Sequence, residues 1–210
     1  MVVATSPGTV EFLLMFAAIL LIFVTIVYRI ATAVAVHGGG SAWLANFAPL
    51  AAIALCSAVY FPRSYKFTVP FAALVVSDLA LNWYYGFPFF NAMVVGHYFA
   101  FALVGLIGLA ISRRPSLKTV LPASLAGSVL FYGITNAFSW LTDPGYAKTF
   151  AGLLQALTVG LPQYSATPTW MFFRNSLLSD LVFTVLFVAC MKVSRRQVVI
   201  SAPAERALPN

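Results

Sequence analysis

The sequence predicts an all-α integral membrane protein, built as a bundle of six transmembrane helices. The first observation is composition: 61% of the 210 residues are hydrophobic and only 8% are charged. The second is the grouping of the apolar residues into six long stretches, since a helix needs about 20 mostly apolar residues to cross a bilayer. The third is the placement of polar side chains, which gather toward the same end of several stretches.

The predicted spans follow one another along the chain and form a single domain over residues 1–195. They are Val10–Tyr28, Trp43–Phe61, Phe67–Trp83, Asn91–Ile111, Thr119–Leu141 and Phe172–Met191. Residues 142–170 are predicted as an outer loop with an interfacial helix or lid, because apolar residues recur there at helical spacing. Lys148 and Gln155 interrupt any spanning helix in that loop. Residues 196–210 are predicted as a cytoplasmic tail.

The basic residues predict how the chain is oriented. The chain has twelve Lys and Arg against five Asp and Glu. Most of the basic residues follow spans two, four and six, whereas only Arg29, Lys148 and Arg174 fall on the other side. Loops rich in Lys and Arg stay in the cytoplasm, so both termini are predicted to be cytoplasmic. This topology accounts for the net charge of +7 without a nucleic-acid partner.

Charged, amide and imidazole side chains fall at a similar depth in separate spans. Such groups are costly in hydrocarbon and usually face a protein interior or a water-filled cavity. We therefore predict a substrate cavity in the outer leaflet, with aromatic side chains that would stack on a ring of the ligand. The predicted substrate-binding residues are Asn46, Asp78, Asn82, Trp83, Tyr84, His97, Asn136, Trp140, Arg174, Asn175 and Asp180.

The two Asp residues within spans need partners, because an unpaired buried charge is strongly unfavourable. Arg174 and Asp180 lie six positions apart, about 240° around a helix, so they point in different directions. Arg174 is therefore predicted to pair with Asp78. Arg29, at the end of span one, lies on the same side as these polar groups. Its side chain could converge with them or simply extend to the membrane surface.

Two other interpretations stay open at this stage. Polar groups also join helices in membranes by modest hydrogen bonds, which would make this a structural or assembly protein. Asp78 and Asp180 could instead form the acid pair of an intramembrane enzyme, although the glycine-rich signature of intramembrane aspartyl proteases is missing. A cavity is favoured because groups that only join helices have no reason to avoid the inner leaflet.

The two cysteines are predicted to be buried packing residues and not metal ligands. Cys56 lies in the middle of span two and Cys190 near the cytoplasmic end of span six. Two separate cysteines do not form a metal-binding spacing. No metal and no cofactor are predicted.

A set of short motifs carries a resemblance to a known family. The motifs are Asn46-Phe47-Ala48-Pro49, Val69-Pro70, Ser77-Asp78-Leu79, Thr135-Asn136, Lys148-Thr149, Arg174-Asn175-Ser176-Leu177 and Asp180-Leu181. Together they resemble an uncharacterised bacterial family of six-helix membrane proteins, a domain of unknown function similar to the S components of energy-coupling-factor vitamin transporters.

The resemblance implies a multi-pass protein of the bacterial cytoplasmic membrane that captures a small, vitamin-like molecule from the outer side. It also implies a possible partner, an energising transporter module. S components dock on that module through small residues four apart on the first helix. Ala17 and Ala18 have no small residue four positions away, so the sequence gives no support for this docking.

Overall fold

The computed structural model describes residues 7–38, 45–88, 90 and 92–201, and every regular secondary-structure element among these residues is a helix. The seven helices are α1 (Pro7–His37), α2 (Leu50–Tyr60), α3 (Thr68–Tyr85), α4 (Ala92–Ile111), α5 (Leu117–Thr142), α6 (Phe150–Leu157) and α7 (Thr169–Ser201). The predicted starts of span two at Trp43 and span four at Asn91, and the tail beyond Ser201, lie outside the described residues.

Within the described residues, four helical segments are long and apolar enough to cross a membrane. They are Ala18–His37, Met93–Ile111, Leu117–Thr142 and Thr169–Val193. Each keeps large apolar side chains more than half exposed, among them Phe23, Leu106, Val129 and Leu186. Exposed apolar surface of this extent suits contact with lipid. The membrane character of the chain thus rests on these four helices.

The second predicted span is a helix only in part. The helix α2 has 11 residues, about 16 Å of rise, against a hydrocarbon core of about 30 Å. Pro49 is its N-cap, because proline lacks an N–H and disfavours a helical conformation at the preceding residue. Asn46 adopts a left-handed conformation, with φ of 56°. The prediction of helix is therefore wrong for residues 45–49.

Two further boundaries differ from the predicted spans. Helix α1 continues beyond Tyr28 to His37, so Arg29 lies within the helix and not at its end. Helix α7 continues beyond Met191 to Ser201. Apart from Thr32, the residues between Arg29 and His37 are apolar, and a single polar residue such as Arg29 does not end a helix. Helix α3, which ends at the left-handed Gly86, agrees with the third predicted span within two residues.

Two short loops lie at the same end of the bundle. Residues 61–67 reverse the chain between α2 and α3, and residues 112–116 reverse it between α4 and α5. Both loops share an end because Gly108 of α4 lies against Leu55 and Ala58 of α2. We call this the basic end, since these loops and the residues beside them carry Arg63, Lys66, Arg113, Arg114 and Lys118.

Helix α2 forms the centre of the packed core. Its residues 51–59 are all buried, and it contacts α3, α4, α5 and α7. A Cβ added to Gly108 would lie 2.6 Å from the Leu55 carbonyl oxygen. The backbones of α2 and α4 therefore approach closely, which is how helices pack through small residues in a membrane.

Candidate ligand chamber

Three cavities lie at the end opposite the basic end, with volumes of about 250, 650 and 320 Å³. We call them the first, second and third cavity in that order, and together the chamber. Arg29 lines all three, and neighbouring cavities share further lining residues. The polar residues that line the chamber include Arg29, Asn46, Asp78, Asn82, His97, Ser128, Thr135, Asn136, Ser139, Asp143 and Asp180.

The chamber exists because α2 is short. A helix through residues 43–61 would continue beyond Leu50 toward the chamber end. Instead the non-helical residues Asn46 and Ala48 line both the first and the third cavity. The break before Pro49 therefore leaves open space in the bundle where a full-length helix would pack.

The central ion pair of the chamber joins α1 to α3. An Arg29 Nη atom lies 2.8 Å from Asp78 Oδ1, and the other Nη donates to the Ser77 hydroxyl. The two charged side chains are 15% and 16% exposed. Asp78 thus pairs with Arg29, and the predicted pairing with Arg174 is wrong. Arg29 thus converges with the other polar groups, which is one of the two placements that the sequence left open for it.

Asp180 lies at the floor of the first cavity, where it is 2% exposed. Its Oδ1 accepts from the Ala52 N–H at 2.9 Å, and its Oδ2 accepts from the Ser128 hydroxyl at 2.7 Å. The first N–H groups of a helix have no partner within the helix. This carboxylate satisfies such a group of α2, and a negative charge also suits the positive end of the helix dipole. Asp180 therefore ties α7 to α2 and α5.

His97 stands between two cavities, since it lines both the first and the second. Its Nδ1 lies 2.8 Å from the Met93 carbonyl oxygen. A carbonyl only accepts, so Nδ1 carries the proton and Nε2 of the neutral ring is an acceptor. The ring also meets Phe131 edge-on, with centroids 5.8 Å apart.

Two amides keep hydrogen-bonding capacity for a ligand. The Asn136 Nδ2 donates to the Tyr132 carbonyl of its own helix at 2.9 Å, and within the described residues its Oδ1 has no hydrogen-bond partner. Asn82 lines the second cavity, and its side chain makes no hydrogen bond to the described part of the chain. These amides offer both donors and acceptors to a bound molecule.

Three aromatic residues of the prediction do not line the chamber. Trp83 is 79% exposed. Tyr84 belongs to an outer aromatic group, with its ring 5.6 Å from His37. Trp140 donates its Nε1–H to the Ala147 carbonyl at 2.8 Å and packs against the base of the loop after α5. Their positions suit the membrane interface or local packing, as aromatic residues often do.

Arg174 and Asn175 also lie away from the chamber lining. The Arg174 guanidinium lies 5.9 Å from the Trp170 ring centroid and donates to Asn175 Oδ1. The Asn175 Nδ2 donates to the Ala45 carbonyl at 2.9 Å. Asn175 therefore holds the non-helical segment before α2 against α7. Neither residue is among those that line the three cavities.

Sequence reasoning missed one continuous face of α5. Residues at positions 128, 131, 132, 135, 136 and 139 line the first cavity. These positions follow the spacing of a single helix face, and four of them carry Ser, Thr or Asn. A polar stripe at helical spacing inside an apolar span would have identified this wall, whereas only Asn136 was predicted.

The long loop after α5 covers the chamber. Asp143, Pro144 and Tyr164 line the second cavity, and Ser165 and Thr167 line the third. Within this loop the predicted helix is present as α6. It is joined to α5 by the Tyr132 hydroxyl, which donates to the Leu157 carbonyl at 2.6 Å.

Fold and site together define a class: an α-helical protein with membrane-length apolar helices and a polar chamber at one end. The chain belongs to the "Family of unknown function (DUF6580)", which it matches over residues 11–204. No curated protein and no solved structure matches it. The predicted membership in a family of unknown function is confirmed, and nothing links that family to the S components of transporters.

Proposed function

We propose that this protein captures a small molecule in the chamber from the outer side of a bacterial cytoplasmic membrane, in the manner of an S component. The observation that carries the proposal is the chamber itself. Its largest cavity, about 650 Å³, lies within the size range of small-molecule sites. Its walls combine aromatic rings with an ion pair, an imidazole and three amides.

The orientation follows from charge. Loops rich in Lys and Arg remain in the cytoplasm, so the basic end faces inward and the chamber faces outward. The proposed topology has six passes, with α3 and the short α2 joining the four long apolar helices. Residues 45–49 extend the second pass as non-helical chain, which a membrane tolerates where the backbone lines a cavity.

The chamber favours ligand binding over a purely structural role. Polar groups that only join helices would be bonded to one another and closely packed. Here the Asn82 amide and the Asn136 Oδ1 face cavities without a hydrogen-bond partner among the described residues. Both side chains are partly exposed, so water or a ligand in the chamber can bond to these groups.

The geometry does not support an acid pair for catalysis. Asp78 and Asp180 line different cavities and bond to different partners. Two carboxylates that share a proton need to lie in direct contact. Capture therefore remains the function that these residues favour.

The two histidines of the chain provide a matched test. His97 lines the chamber, whereas His37 is not among its lining residues and packs on Tyr84 and Tyr85. The protein would be purified in mild detergent, and the small molecules released on denaturation would be identified by mass spectrometry. We expect a stoichiometric molecule from the wild type and His37→Gln, and at least about tenfold less from His97→Gln, a loss of about 1.4 kcal/mol of binding.

The capture proposal fails if no small molecule accompanies the wild-type protein from its native membrane and none binds across a metabolite panel. It also fails if His97→Gln and His37→Gln retain the same amount. The folded state of both variants would be checked by their thermal unfolding midpoints.

A further inference from the structure

The acidic residues of the chain are concentrated around the chamber. Three of the five Asp and Glu residues line it, namely Asp78, Asp143 and Asp180. Among the Lys and Arg side chains that the structure describes, Arg29 alone does so. The chain as a whole carries a formal charge of +7. The chamber thus has the opposite charge balance from the rest of the protein.

Arg29 does not offset this balance, because its charge is already matched. Its guanidinium donates to the Asp78 carboxylate and the Ser77 hydroxyl. The Asp143 carboxylate therefore has no opposite charge among the described residues that line the chamber. The nearby Lys148 directs its ammonium to the backbone carbonyls of Trp140 and Asp143, outside the lining.

Aromatic rings line the same cavities. Tyr85, Phe87 and Tyr164 line the second cavity, and Phe131, Tyr132 and Phe172 line the first. The faces of such rings attract cations, and sites for quaternary ammonium groups are built from them. A metal ion would require a compact group of ligands, and the described residues contain no group of three or more His, Cys, Asp or Glu that could hold one.

From this charge balance and these rings we infer that the molecule captured in the chamber is an organic cation. The inference rests on the proposed function and specifies its substrate class. Asp143, at the mouth of the second cavity beside Pro144 and Tyr164, attracts the cation, and the aromatic walls enclose its charged group.

The potential of the chamber can be measured without knowing the ligand. Ser139 lines both the first and second cavities. In a Cys56→Ala, Cys190→Ala background, the thiol introduced by Ser139→Cys would be reacted with two methanethiosulfonates of similar size. One carries a trimethylammonium group and the other a sulfonate. The ratio of the cationic to the anionic reaction rate would be divided by the same ratio for a free thiol in solution, which removes the intrinsic difference in reactivity between the two reagents.

We expect the cationic reagent to be favoured by at least about tenfold, the lower range for a charge-focusing cleft. Asp143→Asn should reduce this preference while keeping the side-chain acceptor for the Gly145 N–H, which Asp143 Oδ1 binds at 2.8 Å. The matched control is Ser64→Cys, which lies on the basic end beside Arg63. There the sulfonate reagent should be favoured.

Each outcome has a distinct meaning. Equal rates, or a preference for the sulfonate reagent at position 139, would overturn the cation inference and leave the capture proposal in place. No reaction with either reagent would show that the chamber is closed to water, and both proposals would fail. A released molecule that is neutral or anionic in the capture experiment would also overturn this inference alone.

Discussion

The two ends of the helix bundle use the same helices in opposite ways. Toward the basic end, α2 and α4 touch through Leu55, Ala58 and Gly108, and the core there is apolar and closely packed. Toward the other end, the same bundle encloses cavities of about 250, 650 and 320 Å³ with polar walls. The difference teaches that one short helix can divide a membrane bundle into a packed half and an open half.

Asp180 marks the boundary between the two halves. Above it lies the first cavity, and beside it begins the buried run of α2. The carboxylate closes the N-terminus of α2 and holds Ser128 of α5. Since a helix end without partners is unfavourable inside a membrane, this contact allows α2 to begin in the middle of the bundle.

The largest expected effect on stability comes from removing the Asp180 carboxylate. Asp180→Ala leaves the Ala52 N–H and the Ser128 hydroxyl without their partner. Each buried unsatisfied group costs about 1–3 kcal/mol, so we expect a loss of roughly 3 kcal/mol or more. Asp180→Asn keeps an acceptor for the N–H and should lose less than half as much. Unfolding in SDS–detergent mixtures would measure both, and equal losses would contradict this account of Asp180.

A smaller effect is expected from the contact that defines the packed half. Gly108→Ala places a Cβ 2.6 Å from the Leu55 carbonyl oxygen, whereas a Cβ on Gly133 of α5 has no neighbour within 4 Å. Overpacking of this kind costs about 1–3 kcal/mol. Gly133→Ala is the matched control and should leave the unfolding free energy unchanged or slightly higher. The close approach of α2 and α4 would be refuted if both variants unfold alike.

The smallest expected effect comes from removing either of two buried serine hydroxyls, those of Ser57 and Ser128. The Ser57 hydroxyl is buried in the packed half and has no hydrogen-bond partner among the described residues, whereas the Ser128 hydroxyl bonds to Asp180. Ser57→Ala should raise the unfolding free energy by about 1 kcal/mol and Ser128→Ala should lower it by about as much. Changes of the same sign would show that the two hydroxyls are not used differently.

Much of the fold could be predicted because hydrophobicity is a local property. Five of the predicted stretches overlap α1, α3, α4, α5 and α7, and each covers more than half of its helix. The short helix between Phe150 and Leu157 was also expected, from the helical spacing of its apolar residues. The second stretch failed, because apolar composition does not distinguish a full helix from a half-helix. Pro49 was visible in the sequence, but its effect depended on Asp180 to close the shortened helix.

The lining of the chamber was predicted in part for a similar reason. Asn46, Asp78, Asn82, His97, Asn136 and Asp180 do line the chamber. Their depth along each helix follows from counting residues. Their partners do not, because the rotation of α1 against α3 decides that Arg29, and not Arg174, reaches Asp78. For the same reason the sequence could not show that Arg174 and Asn175 lie outside the chamber lining.

The sequence by itself determined the apolar helices, the gathering of basic loops at one end and of polar side chains at the other. These features follow from the free-energy cost of placing charge in hydrocarbon. That cost applies to each segment independently of how the segments pack. Only the tertiary structure decided that α2 begins at Leu50, that Asp180 supports this start, and that the polar groups surround open space. Those features depend on how separate helices rotate and pack, which no single segment encodes.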